Sequence, residues 1–513
     1  MRASLSSSAF RLTLVAATVS IAFTGCVGSA STRRESDRAS LSRVVEQLLA
    51  RDDLSNSIWG IEVFVPEDGR VLYARNPGTS FVPASNTKLY TTAAALDQLG
   101  PDFVYRTPVL ATGTVEDGTL NGDLVIRGSG DPTISGRFTN GDRLATFREW
   151  AARLKEAGIR HISGNIVGDD NLFDDLPLGY GWSWDDAAYW YSAEVGALTF
   201  NDNCVDFTIT ARRPGESATI TWEPANTAFI TVDNETVTLP SDGDYDEKYF
   251  RGRASNNFVI SSHLESGRTV HESLSVHNPT AFFVYVLRSV LVENGISVDG
   301  YAIDIDDATY APTVTDEWLI FEHQSPPLSE IVTVINKRSH NLYAEQVIRS
   351  LRHEPAMRNN DELTTAEAGI DAASATWTAA GVDTSRIQLV DGSGLSRYNL
   401  VTPGMTSSLL AYMWTLPDTS KKNTFLRSLP IGGVDGSIGG RFRSEEMRGR
   451  VRAKTGTVSN VSSLSGYVDR FDGGTLGFSI MANNFTVDTD TVRAVQDQIV
   501  TAVANWGNVR SSR

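Results

Sequence analysis

The sequence predicts a multidomain α/β protein, in which helices and an antiparallel sheet form a core that carries a β-rich insertion. The chain has 513 residues, more than one ordinary domain holds. Alternating runs around a Pro/Gly turn predict a hairpin at residues 58–75, and "GRVRAKTGTVSN", "VSSLSGYVDR" and "GGTLGFSIMANN" predict three late strands. Between residues 101 and 300, many short β-like runs separated by Gly, Asn and Asp predict one or two β-rich modules.

These elements imply a core that is split in the sequence. Residues 41–100 and 301–513 would form it, and residues 101–300 would be inserted after a helix in "SNTKLYTTAAALDQLGP" that ends at a Gly-Pro pair. Helical periodicity also marks "RLATFREWAARLKEAG" in the insertion, and "SHNLYAEQVIRSLRHE", "TTAEAGIDAASATWTAAG" and residues 489–506 in the core. We expect the hairpin and the late strands to share one antiparallel sheet.

The composition excludes some functions. Hydrophobic residues make up 41% of the chain and charged residues 21%, which is typical of folded domains. The formal net charge is −17, whereas nucleic-acid binding requires a basic surface. No nucleic-acid partner is therefore expected.

The N-terminus predicts export. An apolar run at residues 12–23 follows two arginines and is shorter than the ~20 residues that span a bilayer, as in a signal peptide. It leads to "FTGC", which resembles a bacterial lipobox. Residues 1–26 would be a lipoprotein signal peptide with Cys26 as the lipidated residue, and residues 27–40 a polar tether. Phe23 stands where leucine is preferred, so cleavage near Ala30 is the alternative.

These features predict that the protein faces the periplasm and is anchored to a membrane by its lipid. Val27 is not the aspartate that retains some lipoproteins in the inner membrane, which favours the outer membrane. The second cysteine, Cys204, lies in a strand-like stretch and is interpreted as a small buried apolar residue.

Ser85 and Lys88 form a Ser-x-x-Lys pair at the start of the first core helix. Residues three apart share one face of a helix, and serine needs a base within hydrogen-bond reach to act as a nucleophile. Lysine can be that base only if burial or a neighbouring cation lowers its pKa. The chain has only seven lysines, but a single chance match is still expected, and serine at a helix start also has a purely structural explanation.

Two further motifs support the chemical interpretation. Ser339-His340-Asn341 opens a helix, so that Ser339 and Asn341 can face one cleft, and His340 is interpreted as a spacer. Lys454-Thr455-Gly456 lies on a late strand, where a second cation would help to keep Lys88 neutral. Gly456 would let a substrate backbone approach the strand.

The ordered set of three motifs resembles penicillin-binding proteins and serine β-lactamases. The stretches "GSGDPTI", "GWSWDD", "DGSGLSRYN" and "LPIGGVDGSIGGR" are similar to those of D-alanyl-D-alanine carboxypeptidase/endopeptidases of the penicillin-binding protein 4 type, peptidase family S13. The resemblance runs from about residue 45 to the C-terminus. It implies a serine penicillin-recognising, transpeptidase-like core with inserted β-rich domains. The long spacing between Lys88 and Ser339 fits that family's insertion.

The resemblance also implies roles for the motif residues, no metal or cofactor, peptidoglycan stem peptides as substrates and β-lactam antibiotics as inhibitors. Ser85 would be acylated with Lys88 as base, while Ser339 and Asn341 would relay the leaving-group proton and orient the substrate. Lys454 and Thr455 would bind the terminal carboxylate, with Gly456 beside them, and the backbone N–H groups of Ser85 and Thr457 would form the oxyanion hole.

The resemblance further implies a pocket for the diamino-acid side chain of the stem peptide. Asp185 or Asp186 and Arg397 are its candidates, and Val458 stands where some relatives carry a longer apolar residue. The insertion is expected to lie outside the catalytic core, so that its removal would spare acylation by penicillin more than activity on intact cell wall.

Other functions are less well supported. A Ser-His-Asp hydrolase lacks its G-x-S-x-G elbow, no H-E-x-x-H occurs, and the acidic runs fit no EF-hand loop and are interpreted as solvated loops. A β-lactamase-like hydrolase and a non-catalytic cell-wall-binding lipoprotein remain as alternatives to the carboxypeptidase.

Overall fold

The structure is a computed structural model, and it describes residues 41–224, 227–308, 319–353 and 363–506. The predicted signal peptide, the lipidation site Cys26 and the tether lie outside the described residues. Within those ranges, none of the helices combines the length and the apolar character needed to cross a bilayer.

The described residues contain both helices and strands. The helices are α1 (residues 41–49), α2 (Thr87–Gln98), α3 (Ala145–Glu156), α4 (Pro279–Glu293), α5 (Leu328–Arg338), α6 (Asn341–Ser350), α7 (Thr365–Ala379), α8 (Pro403–Thr415), α9 (Thr419–Ser428) and α10 (Thr489–Ala504). The strands are β1 (Ile58–Phe64), β2 (Val71–Arg75), β3 (Arg106–Ala111), β4 (Thr114–Glu116), β5 (Thr119–Asn121), β6 (Leu124–Arg127), β7 (His161–Ile162), β8 (Ile166–Asp169), β9 (Cys204–Thr210), β10 (Thr219–Glu223), β11 (Thr231–Asn234), β12 (Val237–Leu239), β13 (Tyr249–Arg251), β14 (Asn257–Ile260), β15 (His263–Glu265), β16 (Thr269–Ser275), β17 (Ser297–Val298), β18 (Ala302–Asp304), β19 (Leu319–Gln324), β20 (Val451–Val458), β21 (Val461–Asp469) and β22 (Thr475–Asn483).

The core is built on one five-stranded sheet in the order β2-β1-β22-β21-β20. All of its pairs are antiparallel, and Ile58 lies opposite Asn483. The prediction that the hairpin and the late strands share a sheet is therefore confirmed. Side chains of α1 and α10 pack on one face of the sheet, and those of α2 and α8 pack on the other. This burial on both faces explains why β21 is buried along almost its whole length.

The inserted region leaves the core after α2 and has a hydrophobic core of its own. It contains a five-stranded sheet in the order β18-β8-β6-β3-β19, a four-stranded sheet in the order β17-β7-β5-β4, and smaller sheets around β9, β14 and β15. Cys204 is buried there as expected.

The predicted end of the insertion, at residue 300, is too early. β18 adds to β8, and β19 pairs antiparallel with β3, so the inserted fold continues to Gln324. The two strands are short and pair with partners far away in sequence. Their membership therefore depends on tertiary contacts that periodicity does not reveal.

Candidate active site

The three motifs meet at one cleft of about 750 Å³ between the core and the inserted region. Its lining includes Ser85, Ser339, Asn341, Thr455 and Thr457. The two motif lysines lie beneath these residues and are fully buried. The structure thus brings together all the residues of the three motifs, which the sequence separates by hundreds of positions.

Ser85 lies in a short 3₁₀ turn, Ala84–Asn86, immediately before α2. Ala84 has a left-handed φ of 48°. A Cβ on Gly394 would lie 1.9 Å from the carbonyl oxygen of Ala84, and a Cβ on Gly456 would lie 2.9 Å from the backbone nitrogen of Ser85. The absence of a side chain at these two glycines therefore allows the loop of Ser85 to pack closely against its neighbours. The space beside Gly456, predicted to admit a substrate backbone, is filled by this loop because the loop packs directly on β20.

Lys88 has three oxygen neighbours at hydrogen-bond distance. Its Nζ lies 3.0 Å from Ser85 Oγ, 2.5 Å from Asn341 Oδ1 and 2.6 Å from the carbonyl oxygen of Ser393. Burial lowers the pKa of Lys88 to about 7, although the charges of Asp391 and Glu345 act in the opposite direction. A substantial fraction of this lysine is therefore a neutral amine near pH 7.

Lys454 lies on the opposite wall of the cleft. Its Nζ lies 2.8 Å from Ser339 Oγ and 2.8 Å from the carbonyl oxygen of Thr455. Burial first, and Lys88 second, lower the pKa of Lys454 well below its ordinary value. The sequence predicted that the like charge of Lys454 would help to lower the pKa of Lys88. In the structure burial lowers the pKa of Lys88, and the like-charge effect falls on Lys454.

Sequence reasoning missed the acidic residues behind Lys88. Asp391 accepts hydrogen bonds from the backbone nitrogens of Gly394 and Ser396, both at 2.7 Å. These bonds shape the loop whose Ser393 carbonyl oxygen accepts a hydrogen bond from Lys88. Burial, followed by the charge of Glu345, raises the pKa of Asp391 to about 6. "DGSGLSRYN" supported the resemblance, but nothing in its spacing showed that Asp391 would face Lys88.

The corner of the cleft that is predicted to bind the terminal carboxylate also contains Ser437. Thr455 Oγ1 lies 2.7 Å from Ser437 Oγ, which comes from "LPIGGVDGSIGGR". Thr457 is exposed and lines the cleft, and its Oγ1 lies 3.3 Å from Arg493 Nη2. Hydroxyl groups and nearby cations are suited to an incoming carboxylate.

The predicted side-chain pocket is partly assembled. Asp186, Arg397 and Val458 line the cleft, and Tyr191 donates a hydrogen bond of 2.8 Å to Asp186. Asp185 is not part of the lining; it accepts a hydrogen bond from Ser183 instead. Of the two aspartates, the structure therefore favours Asp186.

The inserted region also touches the motif residues directly. The side-chain nitrogen Nδ2 of Asn341 donates a hydrogen bond of 2.6 Å to the backbone oxygen of Tyr191. Trp190 and Tyr191 line the cleft, and neither was singled out from the sequence. The insertion thus forms one wall of the site.

One acidic cluster lies outside the cleft. Carboxylate oxygens of Asp170, Asp304 and Asp306 lie within 4.8 Å of one another, close enough for a cation. Asp170 is partly buried and Thr280 donates a hydrogen bond to it, so this part of the acidic run is packed and not simply a solvated loop. No other observation indicates a metal at this cluster.

Comparison with known proteins gives a consistent result. The model of the D-Ala-D-Ala carboxypeptidase 3 (S13) family matches residues 41–506. A D-alanyl-D-alanine carboxypeptidase from Actinomadura sp. (strain R39) is 31% identical over 474 residues, covering 90% of this chain and 84% of that protein. D-alanyl-D-alanine carboxypeptidase DacB from Haemophilus influenzae is 27% identical over 427 residues, covering 82% of this chain and 84% of that protein.

The fold is shared as well. The crystal structure of penicillin binding protein 4 (dacB) from Haemophilus influenzae aligns with a TM-score of 0.73 at 25% identity, covering 90% of this chain and 98% of that one. The predicted transpeptidase-like core with inserted domains is therefore confirmed. The chain belongs to the D-Ala-D-Ala carboxypeptidase 3 (S13) family.

Proposed function

We propose that this chain is a serine-type D-Ala-D-Ala carboxypeptidase that acts on peptidoglycan stem peptides through an acyl-enzyme on Ser85, and that penicillins acylate the same serine. One observation carries the assignment of the nucleophile and its base. A neutral amine has two N–H groups and one lone pair. Asn341 Oδ1 and the carbonyl of Ser393 accept from the two N–H groups of Lys88, which leaves the lone pair for the hydroxyl of Ser85.

The first half of the reaction follows from these contacts. Ser85 Oγ attacks the carbonyl carbon of the penultimate D-alanine, and Lys88 takes the hydroxyl proton. The backbone N–H groups of Ser85 and Thr457 stabilise the developing oxyanion. The peptide C–N bond then breaks, and the proton taken by Lys88 is relayed through Ser339, whose Oγ lies beside Lys454, to the leaving amine of D-alanine, so that Lys88 is neutral again.

The second half restores the enzyme. A water molecule attacks the ester and gives a proton to Lys88, the C–O bond to Ser85 breaks, and Lys88 returns that proton to Ser85 Oγ. Lys454, Thr455 and Ser437 hold the carboxylate of the terminal D-alanine during the first half. The arriving negative charge raises the pKa of Lys454 and favours its protonated form.

Labelling with a fluorescent penicillin tests this proposal. We expect a covalent adduct on Ser85, located by mass spectrometry, and release of D-alanine from a peptide that ends in D-Ala-D-Ala. Ser85→Ala should abolish both, whereas Ser80→Ala, at an exposed position five residues earlier, should change neither. Rapid turnover of penicillin without an accumulating adduct would instead identify a β-lactamase-like hydrolase. A folded chain that forms no adduct would favour a non-catalytic wall-binding protein.

Location is a second part of the proposal. "FTGC" and the short apolar run support lipidation of Cys26 and a periplasmic site on the outer membrane. Cys26→Ser should move the protein from the membrane fraction to the soluble fraction. A mature N-terminus beyond residue 26 without an acyl mass would refute the anchor and leave cleavage near Ala30.

A further inference from the structure

The residue between Ser339 and Asn341 is not a passive spacer. His340 is fully buried, and its ring packs against Tyr343 and Trp190, with centroids 4.4 and 5.6 Å away. It lines a second cavity of about 350 Å³, which shares Trp190 and Arg338 with the substrate cleft. The motif therefore presents Ser339 and Asn341 to the cleft and His340 to the inserted region.

Asp202 of the inserted region meets His340 in that cavity. His340 Nε2 lies 3.3 Å from Asp202 Oδ2, and Arg137 Nη2 lies 2.7 Å from the same oxygen. Burial acts to raise the pKa of Asp202, but His340 and Arg137 together hold this pKa well below its ordinary value. Asp202 is thus an anion between two partners, one from the insertion and one from the catalytic motif.

The backbone around Asp202 is unusual. Asn201, Asp202 and Asn203 have φ values of 48°, 56° and 56°, so three successive residues adopt the left-handed conformation. Asn and Asp tolerate it best among residues with a Cβ, but a run of three is strained. Side-chain hydrogen bonds from Asn201 to the carbonyl of Cys204 and from Asn203 to that of Glu194 hold the turn. The turn places the carboxylate of Asp202 on His340.

A continuous set of contacts links this turn to the nucleophile. His340 is covalently adjacent to Asn341, whose Oδ1 accepts from Lys88 and whose Nδ2 donates to Tyr191. Lys88 in turn contacts Ser85. A displacement of His340 would therefore move Asn341 and disturb the hydrogen bond from Lys88 to Asn341 Oδ1. That hydrogen bond helps to orient the amine so that its lone pair points at Ser85.

We propose that Asp202 and His340 are positioning residues, through which the inserted region sets the geometry of Ser339 and Asn341 for acylation. This inference rests on the proposed function. It also revises the expected role of the insertion, because removing residues 101–324 would remove both Asp202 and the carbonyl of Tyr191. Acylation by penicillin should then suffer together with activity on cell wall.

The experiment measures acylation by a fluorescent penicillin and separates the first-order acylation rate from the dissociation constant of the initial complex. Asp202→Ala should lower the rate about tenfold or more and change the dissociation constant less than about twofold, since a small misplacement of catalytic groups costs rate. Asp202→Asn, which keeps the left-handed turn and an acceptor for Nε2, should recover part of the loss. Asp299→Ala, which breaks the more exposed His161–Asp299 pair of the same region, is the matched control and should change nothing.

A double variant gives the sharpest test. If Asp202 acts through His340, the variant with both Asp202→Ala and His340→Ala should be no slower than the slower single variant. Additive losses would overturn the proposal, and so would a wild-type rate in folded Asp202→Ala. Should Asp202→Ala fail to fold, Asp202→Asn decides, because a lower rate at an unchanged melting temperature supports the proposal and a wild-type rate refutes it. Failure of the wild-type chain to acylate would refute the proposed function instead.

Discussion

The cleft has two fully buried lysines, Lys88 of α2 at its floor and Lys454 of β20 at its wall. The two differ in the charged groups that surround them. Lys88, on the floor, has the charges of Asp391 and Glu345 nearby, and its pKa is about 7. Lys454, on the wall, forms no ion pair within the part of the chain that the structure describes, and its pKa is lowered well below the usual range. Fixed carboxylates thus keep one lysine ready to exchange a proton near neutral pH. Lys454 has no such counter-charge among the described residues, and under the proposed function the substrate carboxylate would supply one.

Replacing the floor lysine should have the largest effect. Lys88→Arg keeps a cation but cannot deprotonate, so we expect acylation by penicillin to fall by about 10²–10⁴-fold. The melting temperature shows whether the fold survives. Lys155→Arg, on α3 of the inserted region, is the control and should acylate at the wild-type rate. An unchanged rate in Lys88→Arg would make Lys88 a structural cation.

Replacing the wall lysine should affect substrates according to their charge. Lys454→Gln keeps a polar group but supplies no charge. We expect kcat/KM for a peptide ending in a D-alanine carboxylate to fall about 10- to 100-fold, in the range of a charged hydrogen bond. The same peptide with an amidated terminus should be much less affected. Lys422→Gln, over the ring of Trp414 on α8, is the control. Equal losses for both peptides would contradict the assigned role.

The pH dependence sharpens the comparison further. The base form of Lys88 increases as pH rises through about 7, so the acylation rate should increase over the same range and then level off. Glu345 raises the pKa of Lys88, and therefore Glu345→Gln should lower it and shift this rise to lower pH. The Gln carbonyl can still accept from Gly392 and Ser393, as Glu345 Oε1 does at 3.0 and 2.8 Å. Glu330→Gln, on α5, should leave the profile in place.

The smallest effect on acylation is expected in the side-chain pocket, whose residues contact neither lysine. Asp186→Asn should lower kcat/KM about tenfold for a stem peptide with a free side-chain amine, and change penicillin acylation little. Asp185→Asn is the matched control, because Asp185 does not line the cleft. If only Asp185→Asn alters selectivity, the assignment of Asp186 is wrong.

The sequence was sufficient to predict those features of the fold and the site that depend on the spacing of residues close together in the chain. Ser85 and Lys88 are one helical turn apart, and the alternation of the hairpin and late strands reveals which strands can share a sheet. Asp391, Glu345 and the carbonyl of Ser393 were missed because they reach Lys88 only in the folded chain. His340 was interpreted as a spacer for the same reason, since its partner Asp202 lies in the insertion. The end of the insertion was missed because β18 and β19 are recognisable only by their pairing.

The order of the strands in the core sheet has a consequence for synthesis. The backbone nitrogen of Val82, next to the loop of Ser85, donates a hydrogen bond to the side chain of Asn483, which lies 401 residues further along the chain. β1, near the N-terminus, pairs with β22, near the C-terminus. Contacts so distant in sequence form slowly, and they cannot form until the last strand has left the ribosome. We therefore expect the loop that carries Ser85 to reach its final position only after β22 has been synthesised and has joined the sheet.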